Sequence, residues 1–383
     1  MIVLSMPISS LHGWGLCGKY LAKELSELEQ VVICAPPIDA NLIGDELEYR
    51  FLSSRLIAQE TYQQLQRGGF KMSAPVLHGT ESNLLIPTNP NAQGVRDVGY
   101  TFFEDNILDG PLVRKHAARF QHVVCGSRWN ETVLAEYGIT NATTIIQGVD
   151  PALFHHHNNA KVFNKDKFVI FSGGKFEFRK GQDIVLRAFK HLQDKHSDVL
   201  LINSWFNYWT FSFATMKHSR LIRFAPEGED YYRNMLRVYV DNGINPQNVV
   251  TLSPRRNAEM ARIYRNSDIG LFPNRCEGGT NLVLMEYMAC GKPVIATFNT
   301  GHQDILTEQN SIQITTHATV DIVEQGRLTA RWPDPDLDET IAKLEWAYLH
   351  RDALDALAHQ AGQDLSRITW KETARRFHAL LTQ

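Results

Sequence analysis

The feature that most constrains this chain is a recurring alternation of short, unbroken apolar runs with amphipathic segments, and the alternation begins twice. Unbroken runs such as Ile2–Met6, Phe168–Phe171 and Ile269–Phe272 suit strands covered on both faces, as parallel strands are. The amphipathic segments between them supply the crossover helices that parallel strands need. In the first half the pattern predicts strands at Ile2–Met6, Val31–Ala35, Val76–His78, Val98–Phe103, Val123–Cys125 and Thr143–Ile146. Helices are predicted near Lys19–Glu29, Ser54–Arg67, Leu112–Arg119 and Arg128–Tyr137, the last capped by Ser127. After Gly148-Val149-Asp150-Pro151 the pattern restarts, with strands at Phe168–Phe171, Val199–Asn203, Val249–Leu252, Ile269–Phe272 and Pro293–Ala296. Their helices are Gln182–Leu192, Asp230–Asp241, Ala258–Asn266 and Asn281–Cys290. The expectation is an α/β chain of two halves joined near Asp150, without an internal sequence repeat. The aromatic stretch Trp205–Arg223 reads as a long loop or lid.

The length of 383 residues suits two to three domains, at roughly 150 residues each. Lys+Arg 39 against Asp+Glu 42 leaves a formal net charge of −3, which argues against a general nucleic-acid binder. No run approaches the roughly 20 apolar residues of a membrane-spanning helix, and the N-terminal stretch does not read as a secretory signal. The five cysteines (Cys17, Cys34, Cys125, Cys276 and Cys290) are scattered and include no CxxC pair. They read as reduced thiols of a cytoplasmic protein.

Two segments carry chemistry. The first, Glu277-Gly278-Gly279-Thr280-Asn281-Leu282-Val283-Leu284-Met285-Glu286, follows a strand and opens a helix. A helix start at a sheet's carboxyl edge suits a phosphate, and the glycines let a ligand approach the main chain. Glu286 is placed to accept hydrogen bonds from vicinal hydroxyls such as those of a ribose, or else is merely solvated. Glu277 otherwise offsets the helix dipole. The second segment, Gly173-Gly174-Lys175-Phe176-Glu177-Phe178-Arg179-Lys180-Gly181, also leads from a strand into a helix. Lys175 and Lys180 are spaced to reach one diphosphate, whereas a basic run elsewhere is usually a solvated surface. It is not a Walker loop, since GxxxxGK[ST] is absent.

These segments, together with Gly148-Val149-Asp150-Pro151…Phe154 and the run Tyr287–Ala296, resemble the retaining glycosyltransferases of family GT4 over nearly the whole chain. The resemblance implies the GT-B fold: two Rossmann-like parallel-sheet domains facing a cleft, with a C-terminal helix crossing back. Residues 1–150 would form the acceptor-side domain, completed by a returning helix at about 366–383, and residues 151–365 the nucleotide-sugar donor domain. Ile368-Thr369-Trp370-Lys371 resembles the start of that closing helix.

By position in the family pattern, Lys180 matches the lysine that contacts the donor diphosphate. Lys175 stands where an arginine usually does the same, keeping the charge but losing the bidentate fork. Glu286 matches the ribose-holding glutamate, and Glu277 the one near the transferred sugar. Eight residues separate the two here, where the family commonly has seven, so a bulge is expected in Gly278-Gly279-Thr280. Thr280, Asn281 and Gly279 would present main-chain N–H groups to phosphate. Gly13-Trp14-Gly15 resembles the family's glycine loop in the first strand-to-helix connection. Glu104 stands near where relatives place a histidine. It would hydrogen-bond the donor sugar or an acceptor hydroxyl, or serve only as a helix N-terminal charge.

The implied reaction moves a sugar from a nucleotide-diphosphate sugar to an acceptor hydroxyl with retention, needing neither cofactor nor metal. The acceptor would be a glycan, a lipid-linked or another hydroxyl compound, with peripheral membrane contact possible and nucleic acid excluded. Other classes stay open: a sugar-nucleotide epimerase, a phosphorylase using pyridoxal phosphate, or a non-catalytic binding module. His155-His156-His157 reads as a linker feature and not a metal site, Asp334-Pro335-Asp336 lies in a late loop, and His12 is a candidate contact for phosphate or acceptor. Trp205, Phe206, Tyr208, Trp209 and Phe211 read as core or lid packing, the other reading being a sugar platform.

Overall fold

A computed structural model of the chain describes every residue from Met1 to Gln383 except Gly69, Ser82, Asn158, Asn159 and Tyr208. The unbroken apolar runs become strands, and each finds a parallel neighbour. The first sheet runs, in spatial order, Val31–Ile33, Ile2–Ser5, Val76–Glu81, Asp97–Thr101, His122–Cys125 and Ala142–Thr144. The short strand Ile86–Pro87 pairs antiparallel with the end of Val76–Glu81. The second sheet runs Val249–Thr251, Val199–Ser204, Phe168–Gly173, Ile269–Phe272, Val294–Thr297 and Ile312–Ile314, all parallel. Its register sets Ile170 opposite Ile269 and Gly270 opposite Val294. The protein is therefore α/β, with two Rossmann-like parallel sheets.

Each sheet contains a point where the chain order reverses. In the first it lies between Ile2–Ser5 and Val76–Glu81, and in the second between Phe168–Gly173 and Ile269–Phe272. Loops leaving the carboxyl ends of two such strands diverge, and the crevice between them is where open α/β sheets bind ligands.

The chain crosses between the halves twice, side by side. The Val149 N–H donates to the Ile368 carbonyl at 2.8 Å, and a parallel bridge joins Val149 to Thr369. Gly148 is required there, since a Cβ would lie 2.1 Å from the Trp370 nitrogen. The last helix, Trp370–Thr382, lies on the first half. Trp370 stacks on Tyr20 with ring centroids 5.2 Å apart, and Phe377 meets Tyr100 edge-on at 4.8 Å. One apolar core, including Leu21, Tyr100, Phe154, Phe171, Tyr264 and Phe377, runs from one half into the other.

Four segments depart from the sequence expectation. The first helix spans Gly13–Leu25 and so starts within the glycines, not after them. Glycine costs a helix about 1 kcal/mol relative to alanine, but here close packing overrides propensity. A Cβ on Gly15 would lie 2.3 Å from the Ser9 Cβ, and one on Gly18 would lie 2.1 Å from the Pro7 carbonyl oxygen. Of the region read as one helix at Ser54–Arg67, the helix starts only at Gln59 and runs to Gly68, and a separate, unassigned helix, Glu46–Ser53, precedes it. The stretch read as a loop at Trp205–Arg223 holds a helical turn, Thr210–Phe213, and a 3-10 segment, Ala214–His218. Residues 317–333, unassigned from sequence, and Asp334-Pro335, read as part of a late loop, form an antiparallel hairpin of His317–Glu324 and Arg327–Pro335.

That hairpin belongs to the second half but grips the first. Asn106 imitates a strand residue: its side-chain oxygen accepts the Arg331 N–H at 2.8 Å and its amide donates to the Arg331 carbonyl at 3.2 Å. The Trp332 indole donates to the Glu104 carbonyl at 2.8 Å, and the Ile107 N–H donates to the Thr329 carbonyl at 3.0 Å.

Candidate functional site

The loops at the second sheet's reversal point bring three cations against three carboxylates. Lys175 leaves the strand Phe168–Gly173, and Arg179 and Lys180 sit on the 3-10 turn Phe178–Lys180. Glu277 comes from the loop after Ile269–Phe272. The Lys180 Nζ lies 2.5 Å from the Glu277 Oε1, and the Asn274 amide donates to the same oxygen. Arg179 faces Glu177 at 2.7 Å, Glu104 at 3.2 Å and Glu277 at 3.4 Å. Lys175 lies 3.4 Å from Glu177 and 4.8 Å above the Trp209 ring. Glu177 in turn accepts the Ser212 hydroxyl at 2.7 Å.

Burial alone would push the Glu277 carboxyl up, but Lys180 and Arg179 outweigh it and hold the group at about 2. The same contest leaves Glu177 below its ordinary value: burial opposes, while Arg179 and Lys175 prevail. Both carboxylates are thus ionised at neutral pH, and the cluster is a mutually neutralised set of charges that a diphosphate would re-partition.

The helix Leu282–Ala289 opens at the same crevice. Between Glu277 and Glu286 the backbone turns left-handed at Asn281, with a φ of 61°. Asparagine tolerates that conformation better than most residues. Its Oδ1 accepts the Leu284 N–H at 3.4 Å and its amide donates to the His302 Nε2 at 3.2 Å. The His302 Nδ1 proton goes to the Thr297 carbonyl at 3.1 Å, so the ring is a neutral brace; burial lowers its pKa to about 4. Gly279 and Asn281 line the cleft. The Thr280 hydroxyl turns inward to the Met285 sulfur at 2.9 Å.

Glu286 sits elsewhere. It lies one helical turn below Leu282 and Val283, which line the cleft, and is itself 5% exposed at the seam between the halves. Its carboxyl accepts the Asn257 amide at 2.5 Å and the Tyr264 hydroxyl at 3.2 Å. Asn257 is held from the first half, accepting the Tyr20 hydroxyl at 2.9 Å and donating its N–H to the Ser10 carbonyl at 3.0 Å. Burial raises the Glu286 pKa to about 8.

From the first half, His12, Gly13, Trp14, Phe102, Glu104 and Gln147 face these groups across a cleft of about 380 Å³. Gly13 lines it, whereas Gly15 serves the packing against Ser9 and the N–H bond to the His12 Nδ1 at 3.1 Å. Glu104 follows the strand Asp97–Thr101, and its carboxylate bonds Arg179. The reading of Glu104 as a helix N-terminal charge gives way, because the next helix, Gly110–Ala117, is capped by Asp109. The halves touch at Gly278, where a Cβ would lie 2.4 Å from the Phe103 carbonyl oxygen, and where the Ser127 hydroxyl donates to the Gly278 carbonyl at 2.7 Å.

The aromatic stretch divides: Trp205 is fully buried, Phe206 and Trp209 line the cleft, Phe211 is exposed, and Tyr208 lies outside the described residues. Asp334 accepts the buried Arg275 guanidinium at 2.7 Å, which gives it a structural partner. The His155 Nε2 lies 3.2 Å from Arg265. Sequence reasoning passed over Arg179, Glu177, Asn257 and His302. Arg179 stood in the quoted basic run, but only the fold shows that three carboxylates converge on it.

Residues 213–326 match the model of the family Glycosyl transferases group 1. No curated protein matches the sequence. Among solved structures, the sucrose-phosphate synthase of Thermosynechococcus elongatus is 13% identical, covering 99% of this chain and 97% of that one at a TM-score of 0.70. HepE of Anabaena, solved with UDP-glucose, is 14% identical over 100% of this chain and 99% of its own, with a TM-score of 0.68. A glycosyltransferase of Rickettsia africae is 14% identical over 99% and 97% of the two chains, with a TM-score of 0.64. At these identities the likeness is one of fold, and the fold is GT-B.

Proposed function

We propose that the chain is a retaining glycosyltransferase of the GT4 type, moving a sugar from a nucleotide-diphosphate sugar to an acceptor hydroxyl in glycan or glycoconjugate synthesis. One observation carries this reading: Lys175, Lys180, Glu277 and the helix start at Asn281 converge at the second sheet's reversal point and face Glu104 across the cleft. The family match over residues 213–326 and the GT-B fold support it.

As the anomeric carbon–oxygen bond breaks, negative charge collects on the departing diphosphate. Lys175, Lys180 and the main-chain N–H groups at Gly279 and Asn281 stabilise that charge, and groups fixed before the reaction do so most effectively. The acceptor hydroxyl attacks from the face the diphosphate leaves, passing its proton to the departing diphosphate oxygen, which preserves configuration. Glu277 gives up part of its contact with Lys180 to the donor and turns towards the sugar. Glu286 exchanges Asn257 for the ribose hydroxyls. No cofactor or metal enters this scheme. The five buried, unpaired cysteines suit a reducing cytoplasm, and among the described residues no helix is long and apolar enough to cross a membrane.

The test is calorimetric titration with UDP, GDP and ADP in the presence of chelator, followed by turnover with a panel of sugar nucleotides plus and minus acceptor extract. Binding of one nucleotide and acceptor-dependent nucleotide release are expected. Failure of all three to bind would remove the donor site.

A further inference from the structure

The cleft's charges are segregated by half. Lys175, Arg179, Lys180 and Arg255 all come from the second half, and each faces a carboxylate already: Glu177, Glu104, Glu277 and Glu259 are their respective partners. Among the described residues, the first half contributes neither lysine nor arginine to the lining, and its one charged side chain is Glu104.

What that half offers is a set of neutral hydrogen-bonding groups beside an aromatic surface. The Trp14 ring meets Phe102 edge-on at 4.8 Å, and both are partly exposed. The His12 Nδ1 accepts the Gly15 N–H at 3.1 Å, so the neutral ring carries its proton on Nε2 as a donor. Burial and the neighbouring Lys175 both keep that ring uncharged. The Gln147 amide nitrogen is committed to the Cys17 sulfur at 2.8 Å, which leaves its carbonyl oxygen as an acceptor. The start of the helix Gly13–Leu25 favours an anion, but its cap is already filled, the His12 Nδ1 taking the Gly15 N–H at 3.1 Å.

A ring with an apolar face and a rim of hydroxyls matches this surface. The donor's diphosphate takes Lys175 and Lys180, and Arg179 is already held by Glu104 at 3.2 Å, so a second phosphate would have to displace Glu104 from it. Resting on the glycosyltransferase reading, we infer that the acceptor subsite formed by Trp14, Phe102, His12, Gln147 and Glu104 takes an uncharged sugar, as at the end of a neutral glycan. It discriminates against sugar phosphates and lipid phosphates.

The protein, saturated with whichever of UDP, GDP or ADP binds it, is applied to an array of neutral glucose- and galactose-terminated oligosaccharides and their 6-phosphorylated counterparts. Neutral ligands should be retained at least about tenfold better, the scale of one desolvated charge left unpaired. Trp14→Ala should lower that retention about tenfold while nucleotide affinity stays within about twofold. Glu104→Gln, which keeps shape, should narrow the neutral-over-phosphorylated preference at least about threefold. Equal or better retention of phosphorylated ligands, no retention of neutral ones by the nucleotide-loaded protein, or an unchanged preference in Glu104→Gln would each overturn the inference and leave the donor site standing. Absence of nucleotide binding would instead strike the glycosyltransferase reading itself.

Discussion

The Lys180 ammonium and the Glu277 carboxylate, 97 positions apart in sequence, meet at 2.5 Å with both side chains nearly sealed from solvent. A buried pair of this kind is costly to break from one side, by about 3–5 kcal/mol, because the remaining charge loses its compensation. Lys180→Ala should therefore lose stability as well as turnover, the latter on the order of a hundredfold. The double variant Lys180→Ala with Glu277→Gln should regain most of the stability and none of the turnover. Melting curves and kcat for wild type and the two variants check this, and a double variant as active as wild type would refute the role given to Lys180.

Glu286 makes pH a probe. Its folded pKa of about 8 lies above the ordinary 4.5, so the protonated carboxyl is the form the fold favours. The stabilisation is complete below the unfolded value and is lost as pH rises through 8. Glu286→Gln cannot ionise, so its melting temperature should gain on wild type between pH 5 and pH 9 by at least about 2 °C. The same substitution should weaken donor binding about tenfold to a hundredfold where the wild-type group is ionised. Parallel melting curves would refute the buried-acid assignment.

Lys175 sits between Glu177 and the face of Trp209, and a guanidinium satisfies both neighbours by pairing and stacking. Lys175→Arg should keep turnover within about threefold, while Lys175→Ala should lower kcat by about tenfold to a hundredfold. Steady-state kinetics distinguish them; equal losses in both would mean that the lysine's length, not its charge, is what matters.

At Gly278 the halves leave no room for a Cβ, which would lie 2.4 Å from the Phe103 carbonyl oxygen. Gly278→Ala should hold them apart by the width of a methyl group and lower turnover about a hundredfold, as misplacements of this size do. Nucleotide affinity, which the proposed donor site draws from the second half, should change little. Comparing kcat with a nucleotide titration reads the two effects separately.

How far the sequence revealed this molecule follows from what each signal depends on. Strands such as Phe168–Gly173 and Ile269–Phe272 were legible because burial on both faces leaves an unbroken apolar run. The crevice was legible because glycines and charges stand directly after those runs. The first helix's start was hidden, since glycine argues against helix until Ser9 and Pro7 are seen packed against it. The hairpin at 317–335 was hidden by its exposed face and by Pro333 and Pro335, which speak against a strand away from an edge. The partners of Glu286 could not be read at all. Asn257 and Tyr264 reach it through the sheet's topology, and residue spacing carries no trace of that.

The side-by-side crossings at Val149 and Ile368 also fix an order of assembly. The second half is one continuous stretch of chain, whereas the first needs its final helix to cover Tyr20 and Tyr100. Domains generally complete from the N-terminus onward during synthesis, and here the first half should instead keep an aromatic face open until the helix Trp370–Thr382 has been made. A chain halted at Leu365 should accordingly yield a protease-resistant second half attached to a protease-sensitive first, and an equally resistant first half would show that the helix is dispensable.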